Sequence, residues 1–104
     1  MGDLAISAAT DTVTQLKKLM PSLSDSAAWA KIGITPMIGI NDVSSEVFSI
    51  TDAKNISTFA KTKGVGLLAF WAINRDQPGS GSLGLYSGAQ SKNFEFLQAF
   101  KSGL

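Results

Sequence analysis

Two apolar runs restrict what this chain can build: ITPMIGI (34–40) and VGLLAFWAI (65–73). Neither alternates polar with apolar residues. Continuous apolarity marks strands covered on both faces, as in parallel sheets. Between them lies SITDAKNISTFAKTKG (49–64), which carries helical spacing: Ala53, Ile56, Phe59 and Ala60 share one face. Thr51 or Asp52 supplies its start signal and Gly64 its stop. Strand, helix, strand is a βαβ unit. Pro36 is the discordant residue, because a central strand needs its N–H groups.

Flanking segments extend this unit. LAISAATDTVTQLKKLM (4–20) reads as a helix with Leu4, Ala8, Ala9, Thr12, Leu16 and Leu19 or Met20 on one face. Asp3 is its expected N-cap, Lys17 and Lys18 suit its C-terminal dipole, and Pro21 ends it. SDSAAWAKIG (24–33) starts with cap residues and predicts a short helical turn. Gly and Ser fill a loop over 79–88, and NFEFLQAFK (93–101) predicts a last helix capped by Asn93. The fold class is therefore α/β, a βαβ unit with flanking helices forming one unit over 1–104. A weak echo runs through it: Gly33 and Asn41 recur as Gly66 and Asn74. Two parallel strands covered on both faces would still have open edges. Such a chain belongs to a larger closed sheet or completes itself by oligomerising.

Composition narrows the function classes. A chain of 104 residues allows one domain. Hydrophobic residues are 44% and charged residues 16%, a globular balance rather than a disordered one. The net charge of +1, with scattered Lys, lacks the clustered positive charge of a nucleic-acid footprint. Without Cys or His, disulfides and zinc–histidine chemistry are excluded and no metal ligand set or cofactor site is expected. The N-terminus Met1-Gly2-Asp3-Leu4-Ala5 has neither the basic region nor the apolar core of a signal peptide. No run approaches the ~20 apolar residues of a membrane span, so no membrane partner is expected.

In parallel α/β architectures, function sits at the C-terminal strand ends. Here those ends are Asn41-Asp42 and Trp71 through Asp76. Adjacent strands lie about 5 Å apart, so both ends would share one rim. Trp71 would add a flat apolar face, the kind on which sugar rings stack while amides and carboxylates take hydroxyls. The plainer alternatives are a core Trp71, Asp42 and Asp76 as turn or cap residues, and Arg75 paired with a nearby acid. Trp29 reads as packing. Phe94, Phe96 and Phe100 include core positions, and Tyr86 fits either rim or packing. No catalytic acid pair stands out, and GSGSLGLYSG does not follow a strand as a phosphate loop would.

The stretch 34–76 resembles the last third of bacterial chitinases of glycoside hydrolase family 18. The matching parts are TPMIGINDV followed by EVF, then FAKTKGVG, then LLAFWAINRD; the flanking helices carry the likeness to nearly the whole chain. The resemblance implies the last quarter of a (β/α)8 barrel, strands 7 and 8 with helices 6 to 8. It implies hydrolysis of β-1,4-linked N-acetylglucosamine polymers by substrate-assisted retention. It also implies secretion of a full-length member. The general acid of that family is the Glu of a D-x-x-D-x-D-x-E motif, which is absent here. A helping Tyr after the sixth strand should fall just upstream of Met1. No catalytic residue carries over. What does is substrate binding: Trp71, similar to the Trp that floors the cleavage subsite, with Asn41 and Asp42 on the rim.

Three expectations follow. The chain is the C-terminal part of a chitinase, inactive alone, retaining weak chito-oligosaccharide binding through Trp71. Alternatively it is a non-catalytic module that self-associates to complete its sheet. Or it is a subunit that rebuilds an active enzyme with the missing barrel portion.

Overall fold

The computed structural model describes every residue, Met1–Leu104. Two long helices dominate it, α1 (Gly2–Leu19) and α3 (Ile50–Lys63), with two short ones, α2 (Asp25–Trp29) and α4 (Glu95–Lys101). Strands β1 (Gly33–Ile34) and β4 (Leu67–Leu68) pair in parallel, with Gly33 opposite Leu67 and Ile34 opposite Leu68. Strands β2 (Gly39–Ile40) and β3 (Val47–Phe48) pair antiparallel. The expected βαβ connection is present, with α3 between the parallel strands. The hairpin of β2 and β3 is an addition; 34–40 is not one uninterrupted strand.

Pro36 explains the interruption. The parallel register continues past β1 and β4, because Met37 bridges Trp71, Ala69 N donates to Ile34 O at 3.0 Å and Trp71 N to Pro36 O at 2.9 Å. In a parallel ladder the N–H of residue 36 would donate to Ala69 O. Proline has none, so one rung is missing. The register is offset by 34 residues, so Gly33 does not pair with Gly66, and the echo of Gly33 and Asn41 does not mark equivalent positions.

Local signals set most helix ends. Ser49, not Thr51, caps α3: its hydroxyl accepts from Asp52 N at 3.0 Å while Asp52 returns the bond to Ser49 N at 2.9 Å. This reciprocal pair satisfies two otherwise orphaned donors. Ser49→Ala is therefore expected to lower stability by about 1 kcal/mol, read as a fall in urea midpoint at unchanged slope. At the other end Gly64 takes φ 71°, the left-handed cap for which glycine carries no side-chain penalty. For α1, Met1 rather than Asp3 is the N-cap, and Asp3 lies in the first turn. Its inward face is also rotated from expectation: Ala9 and Val13 are buried, whereas Leu4 and Leu19 are exposed.

One core lies between the helices and one face of the β1–β4 pair. Ile34, Ile38, Phe48, Ala53, Ile56, Phe96 and Phe100 belong to it. Trp29 packs there as expected, edge-on to Phe59 at 5.5 Å. Ser57, buried on α3, donates to Phe100 O and accepts from Gly103 N, tying α3 to the end of α4.

Coverage on both strand faces is not observed. Even-numbered strand residues Ile34, Leu68 and Phe70 face the helices. The opposite face carries Gly33, Thr35, Met37, Leu67, Ala69 and Trp71, and Leu67 is 60% exposed. The molecule is accordingly a slab, 48 × 27 × 18 Å. Two open grooves flank the strand pair. One, about 240 Å³, is lined by Ala5, Ala8, Ala9 and Thr12 of α1 together with residues 32–36. The other, about 590 Å³, is lined by Leu68, Phe70, Ile73, Leu97, Phe100 and their neighbours. Its apolar walls explain why continuous apolarity misled: these strands are apolar on faces and edges that this chain leaves open.

Candidate functional site

The C-terminal ends of the parallel strands converge, as their register requires. Met37 and Trp71 are directly paired, and Ile38 N donates to Trp71 O at 3.0 Å. Beyond Trp71 the chain turns through a 3₁₀ segment, Ile73–Arg75; the Trp71–Ala72 peptide is cis. Trp71 is 50% exposed. It is therefore a surface ring at a strand end, not a core aromatic.

Arg75 lies beneath this surface. Its Cζ sits over the Trp71 ring, 5.5 Å from the centroid, within cation–π range. Its side chain is wholly buried. Nε–H donates to Leu83 O at 2.5 Å, Nη1 to Ile38 O, and Nη2 to Ile40 O at 2.7 Å and Tyr86 O at 3.2 Å. The expected acid partner is not what holds it; main-chain carbonyls do. Burial pushes the guanidinium below its usual pKa, but a buried cation bonded to four carbonyl dipoles remains an acceptable arrangement.

Through these bonds Arg75 gathers the rim. Ser87 N donates to Arg75 O at 2.8 Å, and Ile40 N to Ser87 O at 2.7 Å. The Gly/Ser-rich segment is thus stitched between the two strand ends. Gly39, with φ 71°, makes this approach possible: a Cβ there would overlap the Ser87 carbonyl. Tyr86, undecided from sequence, packs its ring against Gly79.

Asn41 is buried beside this junction, and its amide nitrogen donates to Met37 O at 3.1 Å and Gly39 O at 3.0 Å. Both of its N–H donors are used inside the bend. Asp42 is exposed on the hairpin connection. The structure thus brings Trp71 and Asn41 to one strand end and sets Asp42 outside on the β2–β3 turn.

Asp76 fulfils the cap alternative, but for a distant helix. Its Oδ1 accepts from Phe96 N and its Oδ2 from Leu97 N, both at 2.9 Å, and Gln90 Nε2 adds a bond at 2.8 Å. Asn93 does not cap α4; Phe94 occupies that position with φ 59° and no side-chain cap bond. Sequence reading missed this because the cap and the helix are twenty residues apart. The one available signal was an acid beside a strand end, which the helix dipole favours.

No group of three or more His, Cys, Asp or Glu is arranged to hold a metal ion. The strand end thus carries an exposed aromatic over a buried guanidinium, beside a loop rich in Gly and Ser.

Comparison with known proteins identifies relatives of the chain. No protein-family model matches the chain. It is 42% identical over 82 residues to a probable bifunctional chitinase/lysozyme of Escherichia coli K12, covering 79% of this chain and 9% of that protein. It is 42% identical over 77 residues to Endochitinase 11 of Metarhizium anisopliae, covering 74% of this chain and 15% of that one. The catalytic domain of a hyperthermophilic chitinase from Pyrococcus furiosus superposes with a TM-score of 0.90 at 36% identity, over 98% of this chain and 34% of that domain. Catalytic-site mutants of active domain 2 of that organism's chitinase, solved with chito-oligosaccharides, match equally well. The chain thus spans a small part of its curated relatives and about a third of the solved domain.

Proposed function

This chain is related to one segment of the chitinase catalytic domain, and from that premise we propose that it forms the C-terminal part of a family 18 chitinase barrel, strands 7 and 8 with helices 6 to 8. Its task there is to supply one wall of the chitin groove. The observation that carries this reading is the half-exposed Trp71 at the end of β4, over a buried Arg75. A ring so placed offers a stacking face for N-acetylglucosamine units. Asn41 shapes the bend beside it, and Asp42 is the rim group free to meet sugar hydroxyls.

Alone, the chain binds chito-oligosaccharide weakly and does not hydrolyse it. It lacks the D-x-x-D-x-D-x-E motif, and loss of a general acid alone costs about 10²–10⁴ in rate. The flanking grooves support completion by the rest of a barrel, whose strands and helices would fill them. A second reading, self-association through the same edges, rests on the exposed Leu67 and the groove beside β4. A concentration-dependent sedimentation coefficient would favour it.

Titration with chitohexaose, followed by Trp fluorescence, tests the binding claim. Wild type should saturate with a change in emission. Trp71→Ala should lose at least about tenfold in affinity, in line with aromatic anchors elsewhere. Trp29, buried against Phe59, serves as the internal reference that should not respond. An unresponsive wild type would remove the sugar reading.

A further inference from the structure

Arg75 is the largest fully buried side chain in the molecule, and packing alone does not explain a guanidinium there. Its acceptors come from two separate segments: Ile38 and Ile40 around the start of the hairpin, Leu83 and Tyr86 on the rim loop. Only a planar fork with diverging N–H groups reaches acceptors spread this way; an ammonium on a flexible stem does not. Its Cζ lies 5.5 Å from the Trp71 ring centroid.

Trp71 has an alternative place to go. It shares the bare strand face with Met37, Ala69 and Leu67, an apolar surface that would attract a mobile indole. A cation fixed over the ring opposes that collapse, because the ring's negative face is drawn to it. We infer that Arg75 is the positioning residue of the Trp71 platform: it locks the indole in its exposed orientation and fixes the rim loop to the two strand ends. This rests on the platform reading above for its consequence in binding, though not for its geometry. A ring already ordered costs less to engage, because binding need not freeze it.

Three measurements test it. In wild type, nuclear Overhauser contacts should connect the Arg75 side-chain protons with the Trp71 ring protons; their absence overturns the proposal, whatever the variants do. In Arg75→Gln, if far-UV circular dichroism shows the helices retained, the Trp71 indole Nε1–H resonance should shift toward its free-indole position. The affinity for chitohexaose should fall about tenfold, the equivalent of one side chain's lost preorganisation. Arg75→Lys should not restore either, since it keeps the charge but not the fork; full rescue by Lys, or an unchanged Trp71 resonance in a folded Arg75→Gln protein, overturns the role. Should wild type fail to bind chitohexaose, the sugar reading fails, while the contact between Arg75 and Trp71 is still decided by the first measurement.

Discussion

Replacing Asp76 with Ala should destabilise the chain by about 3 kcal/mol and lower its thermal midpoint by roughly 15 °C. The carboxylate is fully buried and accepts three hydrogen bonds, from Phe96 N, Leu97 N and Gln90 Nε2, all within 2.9 Å. Bonds to an ionised acceptor are about twice as strong as neutral ones. Here they also meet the positive end of the helix dipole. Nothing local can replace them, because Phe94 at the cap position has no side-chain bond to offer. Alanine would leave two main-chain N–H groups without partners, each costing about 1–3 kcal/mol when buried. Two such groups sum to about 2–6 kcal/mol, and removing the buried carboxylate returns some of its desolvation cost, which keeps the total in the lower half of that sum. Asp76→Asn retains one acceptor and the shape, so it should cost about half as much. Equal midpoints for Asp76→Ala and wild type in thermal and urea unfolding would show that α4 is held by its apolar face alone.

Asp76 also shows which parts of this molecule could be read from residue order. Features whose cause lies within a few residues were legible. The helix over 49–64, with Gly64 as its stop, follows from periodicity and one left-handed residue; only its cap, Ser49, lay two residues earlier than expected. The βαβ core follows from two apolar runs around that helix. Pro36 was rightly discordant, and the register shows the rung it removes. What could not be read depends on distant partners. Arg75 looked like half of an ion pair because sequence offers only side chains as partners. Its real acceptors are carbonyls brought from positions 38, 40, 83 and 86. The strands looked covered on both faces because both of their faces are apolar, although this chain packs only one of them. Trp71 was the ambiguous case, and in this chain it is half-exposed at the strand end.

Phe100→Ala should also cost about 3 kcal/mol, for a different reason. Phe100 is the residue through which α4 grips both strand systems. It stacks on Phe70 beside β4 at 4.9 Å and on Phe48 of β3 at 6.1 Å, and it is 5% exposed. Truncating a buried Phe costs about 3–5 kcal/mol through lost transfer energy and the cavity left behind. Two stacked contacts add about 0.5–1.5 kcal/mol each beyond area. The upper end of that range requires a closed, dry cavity, and this one would not be closed. Phe100 already borders the open groove of about 590 Å³, so the space vacated would join it and admit water. That places the expected loss at the lower end. Phe100→Leu, which keeps most of the volume but neither stacking contact, should cost about 1.5 kcal/mol. The difference between the two variants isolates the cavity from the aromatic pairing. It should grow if the groove is filled by a complementary barrel segment, since the cavity left by Ala would then be closed and dry. Urea unfolding of both variants, alone and with that segment added, would measure it. A Phe100→Ala midpoint matching that of Phe100→Leu would mean that the grip of α4 on the strands comes from stacking and not from volume.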